Sequence, residues 1–373
     1  MPRYAEQIAA LVRAMIWDRP LEIDPSVLLE QDFWYALRRQ QLHHMAAVWA
    51  LNQKMPIIDA APRKMMIFHA LQRQQRQNAL LTELTELMRQ HSIEPVLIKG
   101  YSLAVLYPNP DMRESGDVDM YIGEAHYDEM IGVMKAQYPD AYWFSEEHAG
   151  LHFTMVVDQQ IDLAAEMHRV AMEFHSMPRA DRAFQALTLE QMKRTRTLKV
   201  GQTDVSIPSK EFDALYVLLH AWHHFESSGV GLRQLADWAI ALHQLTADER
   251  DAFAPQLEQL LRQMHMLDIW QCFGWVVVNK LGLPREECML YTDTCSRKGE
   301  QLFEQLVKDG HCGREPKLQY GGKTMYYYPY ERPETGRLKQ KWYTLNRLTF
   351  QLCQTRKLFP NYAWHSYLGQ FLS

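Results

Sequence analysis

Residues 96–120 read VLIKGYSLAVLYPNPDMRESGDVDM. Val96-Leu97-Ile98 is a short apolar run of the kind that forms a buried strand. Lys99-Gly100 follows at once, where a strand would hand over to a helix, and residues 103–106 supply a short apolar helix. A proline-interrupted loop then leads into Gly116-Asp117-Val118-Asp119-Met120. On a strand, residues two apart share a face, so Asp117 and Asp119 point one way while Val118 and Met120 point into a core. Two carboxylates so close repel, and burial raises the cost. A divalent cation removes that penalty, and hard oxygen ligands at this spacing suit magnesium.

Upstream of this stretch, residues 1–92 read as helix. Ile8, Leu11, Val12 and Ile16 mark one apolar stripe, and Leu80, Leu84, Leu87 and Met88 mark another near the end of a long helical pattern. Downstream the period changes. Residues 124–137 are helical, and residues 142–144, 152–157 and 160–167 alternate as strands, the last two joined as a hairpin. A second small hairpin is expected around Gly201, from 197–200 and 203–207. Helices follow over 210–225, 232–245, 247–264 and 269–281. Residues 308–333, which include GGKTMYYYPYERP, read as irregular, and residues 337–356 as a basic amphipathic helix. The expected fold is α+β: a small mixed β-sheet core over 93–207, between an N-terminal helical region (1–92) and a C-terminal one (208–373).

The 373 residues are 47% hydrophobic and 23% charged, a globular composition, and the formal net charge of -5 argues against nucleic acid as a partner. No apolar run reaches the ~20 residues of a membrane span, and the charged, helical N-terminus is not a signal peptide. Five cysteines lie scattered in the C-terminal third with no CxxC pair, which fits free thiols in a reducing, cytoplasmic setting.

Phosphoryl chemistry with two metal ions needs carboxylates to hold them and a backbone that can approach phosphate. Asp117 and Asp119 can supply the first. Gly100, lacking a Cβ at the start of a helix, can supply the second. Lys99 adds a point charge for a triphosphate, Ser102 a hydroxyl donor, and Arg113 a guanidinium. The third carboxylate should come from a neighbouring strand. In residues 161–168, IDLAAEMH, the residues Asp162, Ala164, Glu166 and His168 alternate onto one face. Either Asp162 or Glu166 can complete the set and accept a proton from an attacking hydroxyl.

The combination resembles the DNA-polymerase-beta-like nucleotidyltransferase superfamily, whose motifs are a glycine-serine turn, Asp-apolar-Asp and a third acid on a nearby strand. More narrowly it resembles the bacterial uncharacterised nucleotidyltransferase family. The matching residues are Lys99-Gly100, then Arg113-Glu114-Ser115-Gly116-Asp117-Val118-Asp119, Glu166-Met167-His168, Leu218-Leu219-His220 with His223 and His224, and Arg233 with Asp237. The match runs over about 93–245. The resemblance implies a nucleotidyltransferase-type core and a two-magnesium transfer of a nucleoside monophosphate from a nucleoside triphosphate (NTP) to a hydroxyl, with release of pyrophosphate. The acceptor is left open among a small molecule, a sugar and a protein. It also implies catalytic and metal-binding roles for Asp117, Asp119 and Glu166, and places His220, His224 and Arg233 along the nucleotide cleft.

Tyr101 separates Gly100 from Ser102, a departure from the superfamily's adjacent glycine and serine. A second reading therefore stands beside the enzyme: a nucleotide-binding or interaction protein that keeps the fold without turnover. His220 and His224, one helical turn apart, also have a spacing that can bind zinc. Arg233 and Asp237 can equally form a simple i,i+4 ion pair.

Overall fold

The computed structural model describes residues 2–144, 152–158, 160, 163–169, 178–311, 317–320, 323–326, 345 and 348–372. The chain forms two compact units: a sheet unit of residues 44–173 and 185–213, and a helix-rich unit of residues 1–43, 174–184 and 214–373. Neither unit is continuous in sequence.

The sheet unit holds α3 (His43–Asn52), α4 (Ala60–Gln90), α5 (Gly100–Ala104) and α6 (Tyr127–Gln137). Its strands are β1 (Val96–Leu97), β2 (Val118–Tyr121), β3 (Tyr142–Phe144), β4 (His152–Asp158), β5 (Leu163–His168), β6 (Arg196–Val200) and β7 (Thr203–Ile207). They form one mixed sheet in the order β3-β4-β5-β2-β1-β7-β6. β2 runs parallel to β5 and β1 parallel to β7, while the other neighbours are antiparallel. The expected α+β mixed sheet is therefore observed.

Alternation decides which face is buried. Val118, Met120 and Ile122 from the β2 segment join Leu163, Ala165 and Met167 from β5 in one apolar cluster. Leu80, Leu81, Leu84 and Met88 of α4 and Tyr127, Met130 and Met134 of α6 belong to the same cluster. One face of the sheet is thus committed to packing, and the intervening residues of β2 and β5 take the other face. Gly201 turns β6 into β7 at φ +61, in the left-handed region that glycine enters without strain.

The helix-rich unit contains α1 (Ala5–Ile16), α2 (Gln31–Arg39), α9 (Leu232–His243), α10 (Ala247–Gln263), α11 (Leu267–Asn279), α12 (Ser296–Asp309) and α13 (Pro360–Leu372); α7 (Pro178–Met192) and α8 (Lys210–Ser227) each run from one unit into the other. Trp222, Phe225, Phe273 and Phe359 form its aromatic centre, with ring pairs 5.1–6.4 Å apart. α10 begins with a reciprocal cap, Thr246 to the Glu249 N–H and Glu249 back to the Thr246 N–H.

One expectation for this region is corrected. Residues 308–333 are not irregular throughout: α12 extends to Asp309, and β8 (Lys317–Tyr320) pairs antiparallel with β9 (Lys323–Tyr326). Most of the expected basic helix, residues 337–344 and 346–347, lies outside the described residues, as do Tyr327, Tyr328 and Tyr330. No helix among the described residues is long and apolar enough to cross a membrane.

Candidate active site

β2 and β5 pair in register, with Asp119 opposite Glu166 and Tyr121 opposite His168. Because the core residues of both strands alternate onto the opposite face, Asp119, Glu166 and His168 share the other face, where Asp119 and His168 are buried and Glu166 is half-buried. Their ligand atoms all lie within 4.8 Å of one another. His168 Nε2 is 3.0 Å from Asp119 Oδ1 and 3.4 Å from Glu166 Oε2. Thr154 on β4 donates its hydroxyl to Glu166 Oε1 at 3.4 Å.

Lys99 enters this group from the end of β1. Its ammonium donates to Asp119 Oδ1 at 2.9 Å and stands 3.8 Å from Glu166 Oε2. Its backbone is at φ +64, a conformation that costs a non-glycine residue ~1–3 kcal/mol. Burial pushes the Glu166 carboxyl up, but the hydrogen bond from His168 and the Lys99 charge outweigh it. The carboxyl is held well below the usual range.

The remaining residues of the motif build the turn around this centre. Ser102 is buried, and its hydroxyl donates to the Lys99 carbonyl at 2.7 Å, so its proton is committed to the turn. Arg113 is also buried. A Cβ on Gly100 would stand 3.3 Å from one of its guanidinium nitrogens, so glycine is what lets the backbone lie against that group. Arg113 donates to the Glu114 carbonyl. Asp117, half-buried, directly precedes β2 at a bend of the chain. It is not a member of the group of ligand atoms within 4.8 Å. Asp162, the alternative third acid, lies outside the described residues.

Three contributors escape a reading of the sequence. Arg73 and the buried Gln77, which continue the apolar stripe of α4 toward its N-terminal half, both donate to the Gly116 carbonyl, the former at 2.9 Å, and so hold the loop that delivers Asp117 and Asp119. Ser115 is buried, and its hydroxyl has no hydrogen-bond partner among the described residues. The apolar periodicity of α4 does not single out these two polar residues. Ser115 lies inside the Arg113-to-Asp119 motif, and that position was its only signal.

The other predicted residues belong to the helix-rich unit. His220 and His224 on α8 bring their Nε2 atoms to 3.2 Å. The His311 ring lies 6.0 Å from that of His224. Burial first, and the Arg233 charge second, push the His311 imidazole down to about 4. Arg233 donates two hydrogen bonds to Gln41 Oε1, at 2.7 and 3.1 Å, and its approach to Asp237 is a long 3.8 Å.

The donor set of the sheet unit fits a hard divalent cation: two carboxylates, one imidazole and a half-buried strand face. Lys99 places a positive charge against both carboxylates and so offsets part of their mutual repulsion.

A family model described as uncharacterised nucleotidyltransferase matches residues 29–278. No curated protein matches the chain. Among solved structures, an antigenic nucleotidyltransferase-like protein from Paracoccidioides brasiliensis is similar at 15% identity and a TM-score of 0.35, over 50% of this chain and 88% of that one.

Proposed function

The chain belongs to the uncharacterised nucleotidyltransferase family, and on that premise we propose that it moves a nucleoside monophosphate from an NTP to a hydroxyl acceptor, releasing pyrophosphate. The acceptor is a small molecule, a sugar or a protein side chain. The observation that carries this reading is the register of β2 and β5, which sets Asp119 beside Glu166 on the face opposite the core cluster.

In this proposal Asp119 and Glu166 hold magnesium, with Asp117 as a further carboxylate at the strand's entrance. Magnesium, when bound, supplies charge neutralisation for the transferred phosphate and lowers the pKa of an attacking hydroxyl. Lys99 turns from Asp119 toward the triphosphate once the carboxylates have another cation. Arg113 and the backbone at Gly100 line the phosphate side of the turn. His168 orients Asp119 by its hydrogen bond, and Thr154 does the same for Glu166.

One observation favours a second reading, nucleotide binding without turnover. The Ser102 hydroxyl that would donate to phosphate donates to the Lys99 carbonyl instead. Thermal shift with ATP, GTP, CTP and UTP, with and without magnesium, tests both readings. Magnesium-dependent stabilisation by at least one nucleotide is expected, with its loss in Asp119→Ala and Glu166→Ala. If no nucleotide stabilises the chain, both readings fall. Pyrophosphate release over a panel of sugars, small-molecule alcohols and hydroxyl-bearing peptides then separates turnover from binding.

A further inference from the structure

Far along the sequence from the carboxylate centre, the helix-rich unit gathers a second set of ligand-type side chains. Asp268 and Cys272 lie one turn apart on α11, so their side chains leave the same helical face. Cys295 ends the short 3-10 turn Asp293–Cys295 that leads into α12. The carboxylate oxygen and the two sulfurs lie within 4.8 Å of one another. Both cysteines are buried, at 0% and 6% exposure, and the carboxylate is half-buried.

From these three residues we propose that Asp268, Cys272 and Cys295 bind a zinc ion.

The geometry fits. Zinc–sulfur bonds of ~2.3 Å and zinc–oxygen bonds of ~2.0–2.2 Å at tetrahedral angles put sulfur and oxygen roughly 3.5–3.7 Å apart. Asp268 Oδ1 and Cys272 Sγ are 3.7 Å apart. The charge fits as well. Two thiolates and a carboxylate carry three negative charges, which zinc and one neighbouring cation cancel. That cation is Lys298, whose ammonium is 2.5 Å from the other carboxylate oxygen, Asp268 Oδ2. Lys298 therefore fixes the carboxylate so that Oδ1 faces the sulfur, the orienting role that outer partners play at metal sites.

The donors also fit the metal. Thiolates select zinc over magnesium or calcium, so this site and the two-carboxylate, one-imidazole set on β2 and β5 would discriminate between cations. With three protein donors among the described residues, the fourth corner of the tetrahedron is left to water, the arrangement of an exchangeable zinc.

The experiment uses the full chain, reduced and stripped with a chelator, then titrated with cobalt(II) and zinc. One equivalent of cobalt should give near-ultraviolet thiolate-to-cobalt absorption and visible tetrahedral bands, and zinc should bleach both. Cys272→Ser with Cys295→Ser should abolish the signal, while Cys288→Ser and Cys353→Ser should leave it intact. Asp268→Asn, which preserves shape and removes a ligand's charge, should weaken zinc by about 10-fold or more in a chelator competition, and this keeps the test open if a cysteine variant fails to fold. Absence of cobalt–thiolate absorption in the wild type overturns the proposal, and so does its survival in the double variant. Finding Cys272 and Cys295 joined as a disulfide in freshly purified, metal-free chain overturns it too, in favour of a redox pair.

Discussion

Replacing Lys99 by methionine separates its two roles, holding the carboxylates apart from one another and meeting the triphosphate. The ammonium is 2.9 Å from Asp119 Oδ1 and 3.8 Å from Glu166 Oε2. At an effective dielectric of ~20 those distances correspond to gross attractions of ~6 and ~4 kcal/mol. Desolvation offsets much of this, and deleting one partner of such a largely buried pair costs ~3–5 kcal/mol because the carboxylates are left uncompensated. Metal-free Lys99→Met should therefore melt roughly 5–15 °C below the wild type. Magnesium should behave in the opposite sense. In the wild type it displaces the ammonium; in the variant it meets open carboxylates, so its affinity without nucleotide should rise ~10-fold or more, and saturating magnesium should recover most of the lost melting temperature. Nucleotide affinity should fall over the same substitution. Melting curves across a magnesium titration, with and without ATP, read all three quantities. Unchanged magnesium affinity together with an unchanged metal-free melting temperature would refute the assignment of Lys99 as the cation that magnesium replaces.

Gln77→Ala removes a donor from the Gly116 carbonyl and should cost ~1–2 kcal/mol in chemical denaturation, with weaker magnesium-dependent nucleotide binding as the loop loosens. Gly231→Ala would place a Cβ 2.7 Å from the Gln40 carbonyl oxygen, a backbone atom, and should destabilise the chain by ~2 kcal/mol or more; a melting temperature within error of wild type would contradict that contact. For His311 the folded pKa of about 4 lies below the ordinary 6.5, so the unfolded chain takes up the proton first. Its contribution to stability is full above about 6.5 and is lost as pH falls toward 4, by at most ~3 kcal/mol before solvent screening. Denaturation of wild type and His311→Asn over that window should show the steeper pH dependence in the wild type, and parallel profiles would count against it.

Much of the sheet unit is legible in the sequence because a strand face obeys a period of two. Val118 and Met120 against Asp119, and Ala165 and Met167 against Glu166 and His168, announce an apolar face and a polar one before any partner is known. What alternation cannot supply is the neighbour. That β2 lies beside β5, and that Lys99 reaches Asp119, depends on contacts remote in sequence. The role of α4 was hidden for the same reason. Its apolar stripe predicts a helix packed on something, but not that Arg73 and Gln77, polar residues continuing that stripe, would hold Gly116. The β8–β9 hairpin was missed for a different reason. The tyrosines and prolines of the segment after it read as irregular chain, although Gly321-Gly322 is itself a two-residue hairpin signal. Ser102 shows the converse: the residue type fits a phosphate donor, yet its hydroxyl is taken by a carbonyl three residues back.

The parallel pairing of β2 with β5 has a consequence for how the molecule assembles. Asp119 and His168 are 49 positions apart in the chain, and α6, β3 and β4 intervene. A parallel pair cannot be closed by a tight turn, so this excursion must order before the carboxylates meet, at the entropic cost of a long loop. Contacts of such separation are slow to form. The centre should thus be a kinetic latecomer in folding, and because Phe153 and Met155 of β4 are fully buried in the core cluster, damage there should lower the global melt together with ligand binding.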